Sequence, residues 1–396
     1  MAKAAIMGYG TVGSGVYEII RMNADKLTAS CGEDIELKYI LDIRDFSDHP
    51  EKELFTKDVN DIINDPGISV VAEVMGGLHP AYEFTRDLLL AGKSVVTSNK
   101  ELVATYGSEL LEIARETGVN YLFEASVGGG IPVLRPLARC LAANNIKKIA
   151  GILNGTTNYI LYQMITNDKS FESALKQAQA NGYAERNPAA DIEGHDACRK
   201  IAILASLAAG RSIDYTRIST EGITDITLED VKHAEQLDSV IKLIGYAEFL
   251  DNGRVYAHVA PMMINKHSML AGVDDVFNAV LVNGDAVGDV MFYGPGAGKL
   301  PTASAVVADI IDAVEHYGKT RNIGWVKADE DLTADRDEKK FRYFVRADKD
   351  ADIAVFGKVE EFKSLGDENV FITGYMTAGE MDAVRSAVKT AIRILD

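Results

Sequence analysis

The chain has 396 residues, 47% of them hydrophobic and 25% charged, and a formal net charge of −18. That length allows two or three domains and a sizeable core. The charge argues against non-specific nucleic-acid binding, which needs Lys and Arg in place of phosphate counterions, and the lack of any run of about 18 apolar residues argues against a membrane span. The opening MAKAAIMGYG has no long apolar stretch of a secretory signal, so a cytoplasmic location is expected. Cys31, Cys140 and Cys198 are widely spaced and are read as reduced thiols, not as a disulfide or zinc framework.

In chain order, a short apolar run from Ala4 to Met7 precedes Gly8, Gly10 and Gly13, and then Val16, Ile19 and Ile20 follow at helical spacing. Further strands are expected at IELKYILDI, SVVAEVM, SVVTSN and NYLFEASV, with a helix over PAYEFTRDLLLAGK. Strands alternating with helices predict an α/β fold, a parallel sheet covered on both faces. After GGGIPV the pattern changes to α+β. LRPLARCLAAN reads as a helix, IKKIAGILNG as a strand, and TTNYILYQMITND and SFESALKQAQANG as helices, the last capped by Ser170. RKIAILASLAAG reads as a strongly apolar segment and LEDVKHAEQLDSVIKLIGYAEF as helical. RVYAHVAPMMIN and NAVLVNG…VGDVMFYG read as strands, and PTASAVVADIIDAVEHYG as an amphipathic helix. Charged residues 328–340 suggest a linker. The tail then reads as strands FRYFVRA and NVFITGYM and a helix over GEMDAVRSAVKTAIRIL, with Met381, Val384, Val388 and Leu395 on one face. The expected domains are 1–130, with the 301–318 helix packing back on it, then 131–300 and 338–396.

The turn Gly8-x-Gly10-x-x-Gly13, between a strand and a helix, is a dinucleotide-binding pattern. The first glycine permits the tight turn, the second lets backbone approach a pyrophosphate, and the third lets helix pack on strand. Thr11 and Val12 then open a helix whose N-terminus faces the phosphates. At the end of the second strand LDIRD offers both Asp42, suited to ribose hydroxyls, and Arg44, suited to a 2′-phosphate, so NAD or NADP stays open with a slight lean to NADP. Lys100 follows the fourth strand, where ligands of such sheets lie; a solvated lysine at a helix start is the plainer alternative. In ERNPAADIEGHDACRK, Pro188 forces a turn, and Asp196 and Lys200 stand i,i+4 on one helix face together with apolar Ile203 and Leu207. Charge on a core-facing stripe needs something polar to meet it. A zwitterionic small molecule fits, because carboxylates can hold its ammonium, a lysine can serve an oxygen, and the helix start at Gly155 and Thr156 can hold its carboxylate.

The segment AQANGYAERNPAADIEGHDACRK resembles the signature of homoserine dehydrogenases, and GILNGTTNYIL, TSNKELV, EASVGGGIPV and GPGAGKLPTASAVVAD are similar to other blocks of that family in the same order. The resemblance covers about residues 1–320. It implies a Rossmann-type domain, an α+β substrate and dimerisation domain, and hydride exchange between NAD or NADP and the L-homoserine/L-aspartate 4-semialdehyde pair, in the biosynthesis of threonine, methionine and isoleucine. It implies Lys200 and Lys100 flanking the reacting oxygen, with Lys200 the favoured general acid/base. Asp196 and Asp191 would orient Lys200 and substrate, Glu185 would bind the ammonium, and Gly155 and Thr156 would contact the amino-acid end. The cofactor would meet Gly8, Gly10, Thr11, Val12, Gly13, Arg44, Gly76, Ser98, Lys100 and Gly298. A sodium or potassium ion would be held at Glu124, Val127, Gly129 and Ile131, mostly by main-chain carbonyls. A homodimer is implied as well.

The tail departs from the family. It has a βαββα-like flavour of a regulatory ACT domain, but ADKDADIAVFG stands where an acidic residue followed by Pro-Gly is usual. A degenerate ACT-like unit that packs or dimerises is therefore expected, without amino-acid feedback at that loop. His195 and His267 are expected at the surface and Trp325 in packing. Two rival functions are a cofactor-binding sensor without catalysis and a semialdehyde dehydrogenase using a thiohemiacetal. The second needs an activated cysteine with a base partner, and none of the three has such a motif.

Overall fold

The structure is a computed structural model that describes residues 1–321, 323–365 and 367–396. The chain divides into two compact units. One comprises Met1–Asn145, Ala202–Tyr215 and Phe292–Asp331; the other comprises Ile146–Ile201, Thr216–Met291 and Leu332–Asp396.

In the first unit β1 (Ala2–Met7), β2 (Ile35–Leu41), β3 (Phe55–Thr56), β4 (Ile68–Glu73), β5 (Ser94–Thr97) and β6 (Tyr121–Leu122) form a sheet in the order β3-β2-β1-β4-β5-β6. Every neighbouring pair is parallel. Ala4 to Met7 read as a continuous apolar run because β1 is buried on both faces at the centre of the sheet. The strand order reverses between β1 and β4, which makes the carboxyl ends of these strands the binding edge. The helix Lys299–Glu315 packs on the helix Thr11–Met22. Gly15 permits the approach, since a Cβ there would stand 2.8 Å from the Lys299 carbonyl oxygen. Trp325 is buried, donates to Ser108 Oγ at 3.1 Å and packs edge-on to Phe123. The expected strand NYLFEASV is extended only at Tyr121–Leu122, and Glu124–Ser126 is a 3₁₀ turn.

In the second unit β7 (Ile146–Ile152), β8 (Ser219–Thr220), β9 (Ser239–Phe249), β10 (Val255–Asn265), β11 (Phe277–Gly284), β12 (Gly288–Pro295, of which the part to Met291 belongs to this unit), β13 (Tyr343–Asp348), β14 (Val359–Leu365), β15 (Glu368–Thr373) and β16 (Thr390–Leu395) build a mixed sheet. Its order is β12-β11-β7-β9-β10-β16-β13-β15-β14, with β8 beside β10. Two helical expectations fail here. LEDVKHAEQLDSVIKLIGYAEF is a helix only over Leu228–Gln236; Asp238 takes a positive φ of 51°, and the rest is β9, paired with β10 along its whole length. Much of β9 is buried in an unbroken run, so its alternation does not show in the sequence. In the tail only Ala378–Ala383 is α-helical. Thr390, Ile392 and Ile394 are β-branched, and β16 lies parallel to β10 and antiparallel to β13. Met381, Val384, Val388 and Leu395 do pack against one core, but from a helix, a 3₁₀ turn and a strand.

His258 on β10 is 1% exposed among Tyr246, Tyr256 and Phe341, and neither ring nitrogen has a hydrogen-bond partner among the described residues. Burial, then the nearby Arg393 charge, holds its pKa well below the usual histidine value. The unfolded chain takes up a proton below about pH 6.5 that the folded chain refuses, so this group lowers stability as pH falls, by at most about 1.4 kcal/mol per pH unit. His258→Phe, which keeps the aromatic packing, is expected to flatten the melting-temperature profile between pH 6.5 and 5; an unchanged slope counts against this reading.

No helix among the described residues is long and apolar enough to cross a membrane.

Candidate active site

In the first unit β1 delivers Gly8 with φ +96°, its N–H donating to the Leu41 carbonyl at 2.8 Å. A Cβ on Gly13 would lie 1.9 Å from the Gly8 carbonyl oxygen, so only glycine lets the helix start this close to the turn. Gly10 differs, because a Cβ there would meet nothing within 4 Å. It precedes the Thr11–Met22 helix, whose N-terminus has no side-chain cap and no acidic residue in its first turn. Uncapped first-turn amides beside open space suit the pyrophosphate of a dinucleotide.

At the end of β2, Asp42 Oδ2 accepts from Tyr9 N at 2.8 Å and Arg44 NH2 at 2.7 Å, and its Oδ1 from Arg44 N at 3.0 Å and Nε at 2.9 Å. The Arg44 guanidinium holds this carboxyl well below the usual range. Arg44 itself is 57% exposed over the Phe46 ring. At the ends of β4 and β5 a residue that the sequence reading passed over ties two loops together. Glu73 is fully buried, its Oε2 accepting from Thr97 Oγ1 at 2.6 Å and its Oε1 from Met75 N at 2.8 Å. Burial raises its pKa. Asn99 caps the Lys100–Thr117 helix through Leu102 N and donates to the Gly77 carbonyl at 2.6 Å. These bonds hold the Met75–Gly77 loop, with Gly76, against the Ser98–Lys100 segment. Lys100, half-buried, is the first residue of its helix, and Gly298 with φ +124° precedes the Lys299–Glu315 helix.

The glycine-rich loop lies in the same unit. The Glu124 carboxylate accepts from the backbone N–H groups of Val133, Leu134 and Arg135 at 2.6, 2.8 and 2.7 Å. Its side chain is committed to the start of the Leu134–Arg139 helix, and only its carbonyl is left for an ion. Asp309 accepts from Glu124 N at 2.8 Å and pairs with Arg135; burial, then Glu124, pushes its pKa up to about 8. Among the described residues no backbone bond falls on the carbonyls of Glu124, Val127, Gly129 or Ile131, while those of Phe123 and Gly128 accept from Ser126 and Ile131. Oxygen donors of that kind suit a hard monovalent cation.

In the second unit Leu153 follows the end of β7, and Asn154 caps the Gly155–Asn167 helix by accepting from Thr157 N at 2.9 Å. Asn154 Nδ2 also donates to Asp191 Oδ1 at 2.7 Å and Asp196 Oδ2 at 2.8 Å. Lys200 Nζ donates to the same Asp196 Oδ2 at 2.7 Å and to the Leu153 carbonyl at 2.7 Å. Asp196 and Lys200 are 4% and 8% exposed, so the pair is no surface ion pair. Thr156 Oγ1 donates to the Tyr183 carbonyl at 2.6 Å, joining this helix start to the signature segment. Gly155 is required where it stands, since a Cβ would lie 2.6 Å from the Val276 carbonyl oxygen. Of the residues expected here, Lys200, Asp196 and Asp191 come together through Asn154, which sequence reasoning missed. Glu185 instead lies exposed. His195 and His267 are exposed, beside Glu193 and Asp238. Burial raises the Cys31 pKa, the wrong direction for a nucleophile.

A parallel sheet with a glycine turn at its switch point, and a buried Lys–Asp–Asn cluster at a strand end, define a nicotinamide-dependent oxidoreductase. Residues 8–124 match the family model described as homoserine dehydrogenase, NAD binding domain, and residues 132–311 match the homoserine dehydrogenase model. The homoserine dehydrogenase of Bacillus subtilis is 44% identical over 318 residues, 79% of this chain and 73% of that protein. The crystal structure of a homoserine dehydrogenase from Thiobacillus denitrificans superposes with a TM-score of 0.91 at 35% identity, covering 100% of this chain and 98% of the other. A hyperthermophilic archaeal homoserine dehydrogenase in complex with NADPH superposes with a TM-score of 0.68 at 27% identity, over 79% of this chain and 97% of that one. The chain belongs to the homoserine dehydrogenase family and is an NAD(P)-dependent oxidoreductase acting on a CH–OH group.

Proposed function

We propose that the chain interconverts L-homoserine and L-aspartate 4-semialdehyde as a step of threonine, methionine and isoleucine biosynthesis, with Lys200 as general acid/base. The observation that carries this is the buried Lys200, held on Asp196 and the Leu153 carbonyl. In the oxidative direction the C4 hydroxyl proton passes to the uncharged Lys200 amine as hydride leaves C4. In reduction the ammonium returns that proton to the carbonyl oxygen. Asp196 and Asn154 orient the amine, and Asp191 is fixed by the same amide. Gly155 and Thr156 contact the amino-acid end of the substrate, Glu185 receives its ammonium, and Lys100 is the second candidate for the proton. The nicotinamide supplies or takes the hydride. Gly8, Gly10, Thr11, Val12, Gly13, Gly76, Ser98, Lys100 and Gly298 hold the dinucleotide. The carbonyls of Glu124, Val127, Gly129 and Ile131 hold a monovalent cation. Reduction of NAD or NADP by L-homoserine, but not by L-threonine or L-aspartate, tests the reading.

NADP is the favoured cofactor. Tyr9 and Arg44 occupy both oxygens of Asp42, which leaves that carboxylate poorly placed to accept ribose hydroxyls, while the exposed guanidinium, which spends Nε and one terminal nitrogen on Asp42, still has its other terminal nitrogen to offer a phosphate. Arg44→Ala is expected to raise the KM for NADP about 10- to 100-fold and to leave that for NAD within about threefold; equal effects on both cofactors count against the assignment. Residues 1–130 with 301–318 serve as the dinucleotide domain and 131–300 as the substrate domain. Residues 338–396 are a degenerate ACT-like unit that packs, and the working form is a homodimer, the last resting on family membership.

A further inference from the structure

The carboxyl ends of β4 and β5 hold a charged group that the mechanism above does not use. Glu73 is the last residue of β4 and Thr97 the last of β5, and the two stand opposite each other in the parallel register. Glu73 is fully enclosed, so it touches no ligand and acts only through the backbone it holds and the field it sets. Both its oxygens accept, Oε1 from Met75 N at 2.8 Å and Oε2 from Thr97 Oγ1 at 2.6 Å. Thr97 Oγ1 in turn accepts from Asn99 N at 2.9 Å, and the Asn99 amide donates to the Gly77 carbonyl at 2.6 Å. One carboxyl group therefore joins the loop after β4 to the helix start that carries Lys100.

Both contacts bring a donor to an oxygen, the arrangement that favours an ionised carboxylate. Burial works against that charge, and what favours it is the Thr97 hydroxyl, the N–H groups of Met75 and Gly76 and the Asn99 side chain. All of these are neutral, and no lysine, arginine or histidine forms an ion pair with Glu73 among the described residues. A buried carboxylate without a cation costs free energy unless a bound charge meets it.

The half of the sheet in which Glu73 lies tells which charge that is. A dinucleotide spans the switch point of a doubly wound sheet, one mononucleotide to each half. Asp42 and Arg44 follow β2, which gives the adenosine ribose to the β1–β2–β3 half and the nicotinamide to the half built from β4, β5 and β6. The nicotinamide ring is cationic when oxidised and neutral when reduced. A fixed negative charge at this end of the sheet therefore distinguishes the two states.

We propose that Glu73 is a positioning residue for the nicotinamide: it holds the Met75–Gly77 loop against the Asn99–Lys100 helix start, and its carboxylate favours the cationic oxidised ring over the neutral reduced one. The proposal rests on the dinucleotide reading above. Its consequence is a lower reduction potential for the bound cofactor than the same site would give without the charge. The reduced ring is then the stronger hydride donor, and the equilibrium between bound reactants moves toward the alcohol.

The test uses the full chain without substrate. NADP⁺ and NADPH are titrated calorimetrically into the wild-type protein and into Glu73→Gln. Glutamine keeps an oxygen for Met75 N and offers an N–H to Thr97 Oγ1, so both loops stay joined and only the charge is lost. The ratio of the dissociation constant for NADP⁺ to that for NADPH is expected to rise about 5- to 30-fold in the variant. A tenfold rise is about 30 mV in the potential of the bound two-electron couple. A residue that only shaped the loop would weaken both forms alike. Thr97→Val removes one donor to the charged form and should raise the same ratio about two- to fivefold, which keeps the proposal testable if the Gln variant is poorly folded. The proposal is overturned if the ratio in a folded Glu73→Gln protein stays within about twofold of wild type, or falls. Failure of the dinucleotide reading would look different, because the wild-type protein would then bind neither form and both readings would fall.

Discussion

Lys200→Ala is expected to lower kcat for homoserine oxidation by about 10²- to 10⁴-fold, the range typical of losing a positioned acid/base, while the dissociation constant for the dinucleotide stays within about twofold. The two readouts separate because the residues proposed to hold the dinucleotide belong to one unit and Lys200 to the other. The substitution removes the donor that Asp196 Oδ2 shares with Asn154. Loss of Lys200 leaves a buried carboxylate without this cation, so the folding penalty should be about 3–5 kcal/mol, at the low end because Asp196 keeps the Asn154 bond, and a melting curve checks that the variant is folded before its rate is read. Lys200→Arg is expected to recover little, because a guanidinium cannot give up its proton near neutral pH. A variant that binds dinucleotide and turns over at the wild-type rate would remove Lys200 from the mechanism.

Gly10→Ala is the sharper test of the dinucleotide turn. At Gly13 an added methyl would collide with the Gly8 carbonyl, and the protein itself would pay for the change. At Gly10 the φ of −76° suits any residue and the new Cβ meets no protein atom within 4 Å. Melting temperature without cofactor should therefore stay within about 1 °C, whereas dinucleotide affinity should fall about 10- to 100-fold, because the methyl occupies the space through which backbone approaches the pyrophosphate. Undiminished affinity in a normally folded Gly10→Ala protein would place the cofactor elsewhere.

The parts of this molecule legible in its sequence were those in which a local pattern carries the geometry. Gly8, Gly10 and Gly13 mark a turn whose backbone only glycine can build in part, and Asp196 and Lys200 declare a shared helix face by their spacing alone. What escaped needed partners distant in sequence. Asn154 stands unmarked within GILNGTTNYIL, and only the fold reveals that its amide spans Asp191 and Asp196. Glu73 reads as the end of an apolar strand, and its role depends on Thr97 arriving on the neighbouring strand. The tail misled for a related reason. The apolar positions of GEMDAVRSAVKTAIRIL repeat at three and four residues, yet β10 and β13 offer open edges on either side of Thr390–Leu395, and pairing overrides a weak helical pattern. Glu185 lies exposed outside the buried cluster, and its proposed part in holding the ammonium rests on the signature alone.

The most direct test of the account is rescue of the Lys200→Ala protein by added methylamine, with L-homoserine and NADP saturating and the reduced nicotinamide followed by absorbance. If Lys200 is the base, the rate should rise in proportion to the concentration of uncharged amine, and Lys100→Ala should show no such response. Rescue confined to Lys100→Ala, or a Lys200→Ala protein that needs no rescue, would contradict the assignment of the proton to Lys200.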